Sequence, residues 1–429
     1  MRKLTVKNFS VIKEAELEFG KITVLIGPQS SGKSLLCKLV YFLGPTLTQI
    51  IAEFAVRQRP WSYLEEFASI QFKKRFPESL WGTAPFFIEY KEGKFRVNAT
   101  YVSSESGRRV SIVFSDEIRS LYAEKLSTPW GRPLEPGQEG DSLTISFRNW
   151  NYLVELNGLR GHLRVETSAF IPANRAFFSN LNNVFELFKN ENIDITLREF
   201  AAILDWAAKP TSEKPMNTIK AEILASIESV QGGKVRVDDG NPSFETPNGI
   251  ITPMGMTSSG TQELVPLFML LSTLVKDSYA QNSDEGLDPI REHFLVVEEP
   301  EGHVFPSTQY ELVRFFSWLH NEDFFQFSWA ITTHSPYILT AFNTLIEAWR
   351  AGNKEGKREQ VAALIPEKYW VNENDFAAYS IHDGVLTSIF SKEEEGKEGS
   401  GLIDGDFLDS VSDQLGSEFD KLLDIEYAD

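Results

Sequence analysis

A glycine- and serine-rich loop between an apolar strand and a helix restricts this chain more than any other feature. Residues 21–26 read as a short apolar strand. The strand runs into Gly27, Pro28, Gln29, Ser30, Ser31, Gly32, Lys33 and Ser34, which fit G-x-x-x-x-G-K-[ST]. Helical spacing follows at Leu35, Leu36, Leu39, Val40 and Leu43 and is expected to stop near Gly44-Pro45. Phosphates concentrate negative charge, so a loop that binds them aims several backbone N–H groups inward, and glycines permit that close approach. A helix starting near Lys33 adds the positive end of its dipole. In this reading residues Gly27 to Leu35 hold ATP, Lys33 meets the β- and γ-phosphate oxygens, and the Ser34 hydroxyl ligates Mg2+.

Three later segments supply what such a loop lacks. In FLVVEEPEGHVFP (residues 294–306) four apolar residues form a buried strand that delivers two carboxylates at its C-terminal end, where ligands sit in α/β sheets. Glu298 is placed to hold Mg2+, and Glu299 to polarise the attacking water as a general base. In AITTHSPYIL (residues 330–339) a second apolar strand ends beside His334. A neutral imidazole there can donate to the γ-phosphate or orient water. In MTSSGTQEL (residues 256–264) a Ser-x-Gly turn opens a helix. Ser258, Ser259 and Gly260 thereby form a second anion site of N–H groups and hydroxyls.

The order of elements implies a split sheet. Residues 1–19 read as two strands around a turn, and residues 51–76 as helix. A β-rich stretch occupies 85–170, including FFIEYKEGKFRVNATYV, RRVSIVF, SLTISFR, YLVEL and HLRVETSAF, with a Gly/Pro-rich loop at 128–140. Residues 174–230 return to helix, followed by a strand or hairpin at 234–237. The last third alternates helix and apolar strand, indicating a mainly parallel sheet covered on both faces. The expected units are 1–170, the first part of the nucleotide head with an inserted helical and β-rich lobe, and 171–255, a helical lobe. The second part of the head, 256–390, and an acidic helical segment, 391–429, complete the chain.

These four motifs in this order resemble the heads of ABC-type P-loop ATPases, and among them the OLD-like group. KNF at 7–9 and FIPANR at 170–175 look like that group's opening strand and the segment before its lobe. The resemblance implies an α/β fold with a split, mainly parallel sheet, an inserted β-rich lobe and a helical lobe. It also implies that Ser258, Ser259 and Gly260 act in trans, touching the γ-phosphate held by the P-loop of a second copy in a head-to-tail dimer or larger homo-oligomer. Glu298-Glu299 and Ser258-Ser259-Gly260-Thr261 stand where transporter heads carry Asp-Glu and Ser-Gly-Gly-Gln, which argues against transport. About 220 residues separate P-loop and signature, much of them β, which excludes a long coiled-coil arm. OLD nucleases continue into a metal-dependent Toprim domain. Here Asp404 and Asp406 lie in a helical pattern rather than after a Glu-Gly strand end, so no nuclease is expected.

Composition narrows the partners. The net charge of −19 argues against a generally nucleic-acid-coated surface, and residues 391–429 alone hold 13 acids and 3 lysines. Basic clusters remain at Arg57/Arg59, Lys73-Lys74-Arg75 and Arg108-Arg109. One cysteine, Cys37, is too few for a disulfide or a zinc site. No run of about 18 apolar residues suggests a membrane span, and the cytoplasm is the simplest location. The favoured reading is an ATP-driven switch or scaffold controlling a separately encoded effector such as a Toprim nuclease. Similar stand-alone ATPases serve anti-phage systems such as PARIS. The alternative is a RecF-like DNA-binding ATPase of repair or replication. Neither the adenine-recognition residue nor a magnesium-sensing glutamine is legible; Gln58, Gln71 and Gln138 all lack the context.

Overall fold

The structure is a computed structural model that describes residues 1–104, 107–127, 158–160, 166–179, 193–207, 218–238, 241–281, 292–323, 325–390, 402–403 and 421. Its strands are β1 (Arg2–Phe9), β2 (Ile12–Phe19), β3 (Ile22–Ile26), β4 (Phe87–Glu92), β5 (Phe95–Ser104), β6 (Gly107–Phe114) and β7 (Glu166–Ile171). After these come β8 (Lys234–Asp238), β9 (Asn241–Glu245), β10 (Ile251–Pro253), β11 (Glu292–Glu298), β12 (Gln326–Thr333), β13 (Phe376–His382) and β14 (Val385–Ser388). The α-helices are α1 (Lys33–Tyr41), α2 (Leu47–Val56), α3 (Trp61–Arg75), α4 (Asp116–Ser127), α5 (Ala176–Ser179) and α6 (Ile195–Ala207). They continue as α7 (Thr218–Gln231), α8 (Ser259–Gln281), α9 (Pro306–Asn321), α10 (Pro336–Gly352) and α11 (Arg358–Leu364).

Eleven strands form one sheet in the order β6-β5-β4-β1-β2-β14-β13-β3-β12-β11-β7, and β8–β10 form a small separate sheet. Pairing is parallel from β13 through β3, β12 and β11 to β7. On the other side β6, β5, β4, β1 and β2 are antiparallel. The α/β head architecture with a chain-split sheet therefore holds, and the sheet is mixed. Strands β4 to β6 extend it through β1, where Leu4 opposes Tyr90 and Val6 opposes Ile88.

Alternation on the central strands explains why they sit in the middle. Phe294, Val296 and Ala330 face one core with Leu36, Leu39, Val40 and Phe42. Leu295, Val297, Trp329 and Ile331 face the other, with α8, α9 and α10. A strand apolar on both faces has to be covered on both, as parallel strands are. Each buried Leu, Val or Phe contributes about 1.5–3 kcal/mol relative to exposure, so these strands cannot migrate to an edge without a large loss.

Two local expectations are revised. Gly44-Pro45 does not end the first helix: residues Phe42–Thr46 make a π-turn that carries the chain into α2. The wider turn accommodates Pro45, which has no N–H to give to an α ladder. A Cβ at Gly44 would lie 2.6 Å from the Tyr90 hydroxyl, so the turn also packs against β4. The continuous helix Lys33–Val56 is long and apolar enough for a membrane span by composition, but 72% of its apolar window is buried within the protein. The second revision adds β13 and β14, which no expectation covered. The expected strands in SLTISFR and YLVEL, the 128–140 loop, and the acidic segment apart from Leu402, Ile403 and Lys421 lie outside the described residues.

Candidate nucleotide-binding site

Parallel pairing brings three strand ends to one edge. Ile26 is in register with Thr333, and Thr332 with Glu298. The P-loop leaves β3 there and turns into α1, with Gly32 in the left-handed region at φ 108°. Gly27 (φ 154°) lies against β13, where a Cβ would come within 2.5 Å of the Ile381 carbonyl oxygen. A side chain at position 27 would therefore push the loop off the sheet. Lys33 is buried, and its Nζ donates to the carbonyls of Gly27 (2.7 Å) and Pro28 (2.8 Å). Burial is the main cause that lowers the Lys33 pKa, opposed by the charges of Glu299 and Glu301. The ammonium thus sits over its own loop, in a partly desolvated place where a phosphate would be a stronger partner than carbonyl dipoles.

A cavity of about 940 Å³ opens in front of this loop. It is lined by Gln29 to Leu35, by Lys38, Lys74, Arg75 and Arg198, and by Glu299 and His334. Its apolar wall includes Val11, Phe76, Leu80, Ile193 and Ile195. A volume of this size suits a nucleotide-sized ligand.

The carboxylates take up distinct environments. Glu298 is the last residue of β11 and is buried; its Oε2 accepts from the Ala173 N–H at 3.4 Å. Burial raises its pKa, opposed first by a hydrogen bond from the Ser34 hydroxyl and then by Lys38. Its Oε1 and the Ser31 hydroxyl are buried without a hydrogen-bond partner among the described residues. A buried orphan carboxylate oxygen beside Ser34 is a hard-oxygen donor pair of the kind Mg2+ takes with substrate phosphates, so the residues fit that ion. Glu299 follows in the left-handed region (φ 42°), its N–H donating to the Thr332 carbonyl at 2.8 Å. Its Oε1 lies 3.3 Å from His334 Nε2, and both side chains are partly exposed to the cavity. Non-glycine residues in this backbone region cost energy and concentrate at working sites.

The raised pKa of Glu298 predicts a conflict between stability and function. A group whose folded pKa exceeds its unfolded one favours folding when protonated; that contribution is full below the unfolded pKa and is lost as pH rises through the folded value. At neutral pH Glu298 is therefore a cost to the ligand-free fold. Glu298→Gln should raise the nucleotide-free melting temperature and reduce the stabilisation seen on lowering pH. Thermal denaturation across pH checks this; an unchanged or lower midpoint would contradict it.

The structure brings Lys33, Ser34, Glu298, Glu299 and His334 together, whereas Ser258, Ser259 and Gly260 do not line the cavity. Ser258 caps α8: its hydroxyl accepts from the Thr261 N–H at 3.2 Å. Gly260 packs on the loop after β11, where a Cβ would be 2.7 Å from the His303 carbonyl oxygen. Two acidic and basic residues missed in the sequence also belong here. Glu301 Oε1 accepts from the His334 N–H (2.6 Å) and the Thr333 hydroxyl (2.8 Å), tying the histidine strand to the Glu298 loop. Arg175, quoted only as part of FIPANR, is fully buried and donates to the carbonyls of Glu298 (2.8 Å) and Glu299 (3.2 Å). The third acid of EEPEG and a lone arginine after a strand were the available signals. Of the glutamines considered, Gln71 accepts from Arg75 at 3.0 Å, and Gln138 lies outside the described residues.

Residues 151–339 match a model of the family described as AAA ATPase domain (AAA_15). No curated protein matches the sequence. Among solved structures, the chain is similar to the SMC head domain from Thermotoga maritima, at 13% identity and a TM-score of 0.35, covering 90% of this chain and 97% of that one. It is also similar to MJ0796, a bacterial ABC transporter cassette, at 11% identity and TM-score 0.31, covering 89% and 96%. A third is the recombination mediator protein RecF of the RecFOR pathway, at 11% identity and TM-score 0.33, covering 90% and 97%. These three are distant likenesses. With the P-loop that follows β3 facing Glu299 and His334 across one cavity, the match to an AAA ATPase domain supports ATP hydrolysis by this chain.

Proposed function

We propose that the chain is an ATP-driven switch that self-associates around bound nucleotide and controls a separate effector protein. The observation that supports it most is the meeting of Lys33, Ser34, Glu299 and His334 at one cavity, with buried Glu298 beside Ser34 at the same sheet edge. In this reading the P-loop N–H groups and Lys33 bind the phosphates, and Ser34 and Glu298 hold Mg2+. When bound, the ion neutralises charge building on the β- and γ-phosphate oxygens. Glu299 takes the proton of the attacking water, and His334, 3.3 Å away, orients that water.

The signature turn does not line its own cavity, which is compatible with a residue set acting in trans. A second copy docked head-to-tail would present Ser258, Ser259 and Gly260 to the γ-phosphate, so ATP binding stabilises the assembly and hydrolysis releases it. Ser258→Arg should abolish ATP-dependent association and lower turnover at least tenfold, with monomer melting lowered only by the loss of one helix cap, a few degrees at most. Light scattering with and without ATP measures it, and an ATP-induced larger species in the variant would defeat the in-trans role.

Among the described residues no group of three or more His, Cys, Asp or Glu could hold a metal. In this reading effector chemistry belongs to a separate protein, a nuclease in an anti-phage setting. DNA binding is less favoured because several residues of the basic clusters are paired within the chain. Lys73 pairs with Glu78, Arg75 with Glu199, and Arg57 with Glu53, while Arg108 donates to the Gly82 carbonyl. Duplex DNA titration with ATP at low and moderate salt tests this. Tight, steeply salt-dependent binding would turn the reading toward repair or replication.

A further inference from the structure

The Arg175 guanidinium is the only place among the described contacts where the helix after the signature, the segment after β7 and the two catalytic-loop carbonyls meet on one side chain. It is fully buried and donates to four carbonyl oxygens: Pro172 (3.3 Å), Glu263 (2.9 Å), Glu298 (2.8 Å) and Glu299 (3.2 Å). Its charge is balanced by the Glu263 carboxylate at 3.5 Å. Glu263 lies in the first turns of α8, four residues after the start of that helix at Ser259. Two other contacts join the same parts. Ser179 donates to the Gln262 carbonyl at 2.5 Å, and Gly260 closes against the His303 carbonyl.

We propose that Arg175 is a positioning residue that fixes the Glu299 carboxylate by holding its backbone, and that it couples that backbone to the first turns of α8. This deepens the proposed function and rests on it. Glu299 sits in a left-handed conformation (φ 42°) that a non-glycine residue keeps only when its surroundings over-determine it. The guanidinium is planar, with donors in a fixed fork, so its carbonyl partners hold a fixed spacing from one another. A displacement of α8 as the signature engages phosphate then moves the carbonyls of Glu298 and Glu299 with it. Each subunit's own base is thereby set by the contact that its signature makes with a partner. A lysine at 175 keeps the charge but loses the fork.

The test uses the full chain, first comparing wild type with Lys33→Ala for ATP turnover. Absence of turnover in wild type would remove the ATPase reading and this inference with it. Given turnover, Arg175→Lys should lower kcat at least tenfold while KM and the affinity for a fluorescent ATP analogue change less than threefold. Glu263→Gln, which keeps the backbone carbonyl, should lower kcat about threefold with KM unchanged. The double variant should match Arg175→Lys within twofold, because coupled residues are not additive. Wild-type kcat in Arg175→Lys, losses confined to KM, or additive losses in the double variant would each overturn the coupling while leaving the ATPase reading intact. If Arg175→Lys does not fold, Glu263→Gln decides: unchanged kcat rejects the proposal.

Discussion

Lys33→Ala should eliminate measurable ATP turnover, lowering kcat/KM by about a thousandfold or more, which corresponds to roughly 4 kcal/mol. The wild-type ammonium is already inside the loop, donating to Gly27 and Pro28 carbonyls at 2.7 and 2.8 Å. Burial depresses its pKa, and the nearby Glu299 and Glu301 oppose that effect. When phosphate enters, those two weak acceptors are exchanged for a dianionic one in a partly desolvated site, where charge-assisted bonds are strong. Alanine removes that exchange and takes away the ammonium that the loop holds near Glu299 and Glu301. Calorimetric titration of ATP with Mg2+ should show affinity falling in parallel. The fold should survive, because deleting a desolvated cation also removes a cost; a melting temperature within a few degrees of wild type separates lost chemistry from lost structure. Turnover above one tenth of wild type would contradict the assignment.

Glu299→Gln is expected to separate binding from chemistry. Removing a positioned general base costs about 10²–10⁴ in rate, so kcat should fall at least a hundredfold while ATP affinity stays within a few-fold. The side chain is exposed to the cavity, where its Oε1 lies 3.3 Å from His334 Nε2. Its backbone is held independently by the Thr332 carbonyl and by Arg175. An isosteric amide therefore keeps the geometry and loses the proton acceptor. In the proposed cycle, hydrolysis dissolves the assembly, so the variant should accumulate as an ATP-bound dimer or larger species on sizing. Unchanged turnover would rule out the base role, and low turnover without a trapped assembly would separate catalysis from association.

The nucleotide motifs were legible because each is local and each answers a strict physical need. GPQSSGKS combines glycines, one of them left-handed at Gly32, with a helix start within eight residues. The apolar runs before Glu298 and His334 could only be central strands. What the sequence left out shares a different character. The strand β13 supports Gly27 through the Ile381 carbonyl, yet its FAAYSIH pattern lies over 340 residues away and resembles any edge hairpin. The π-turn at Phe42–Thr46 reads as a helix stop because Gly-Pro usually breaks an α ladder, and only packing against Tyr90 reveals the alternative. Arg175 acts through carbonyl oxygens, which have no sequence identity, so no pattern of side chains announces it.

The sequence by itself determined the chemistry: which residues can cradle phosphate, which carboxylates stand at strand ends, and that a split α/β sheet must join them. Tertiary structure decided which way those groups point and what holds them. Register between β3, β12 and β11 aligns three distant strand ends, and the turn at Gly260 packs on the loop after β11 rather than lining the cavity. The reason is physical. Local motifs are set by backbone sterics and short-range hydrogen bonding, which a few neighbouring residues specify. Orientation depends on burial and on carbonyl partners contributed by segments far apart in the chain, and these exist only once the core has formed.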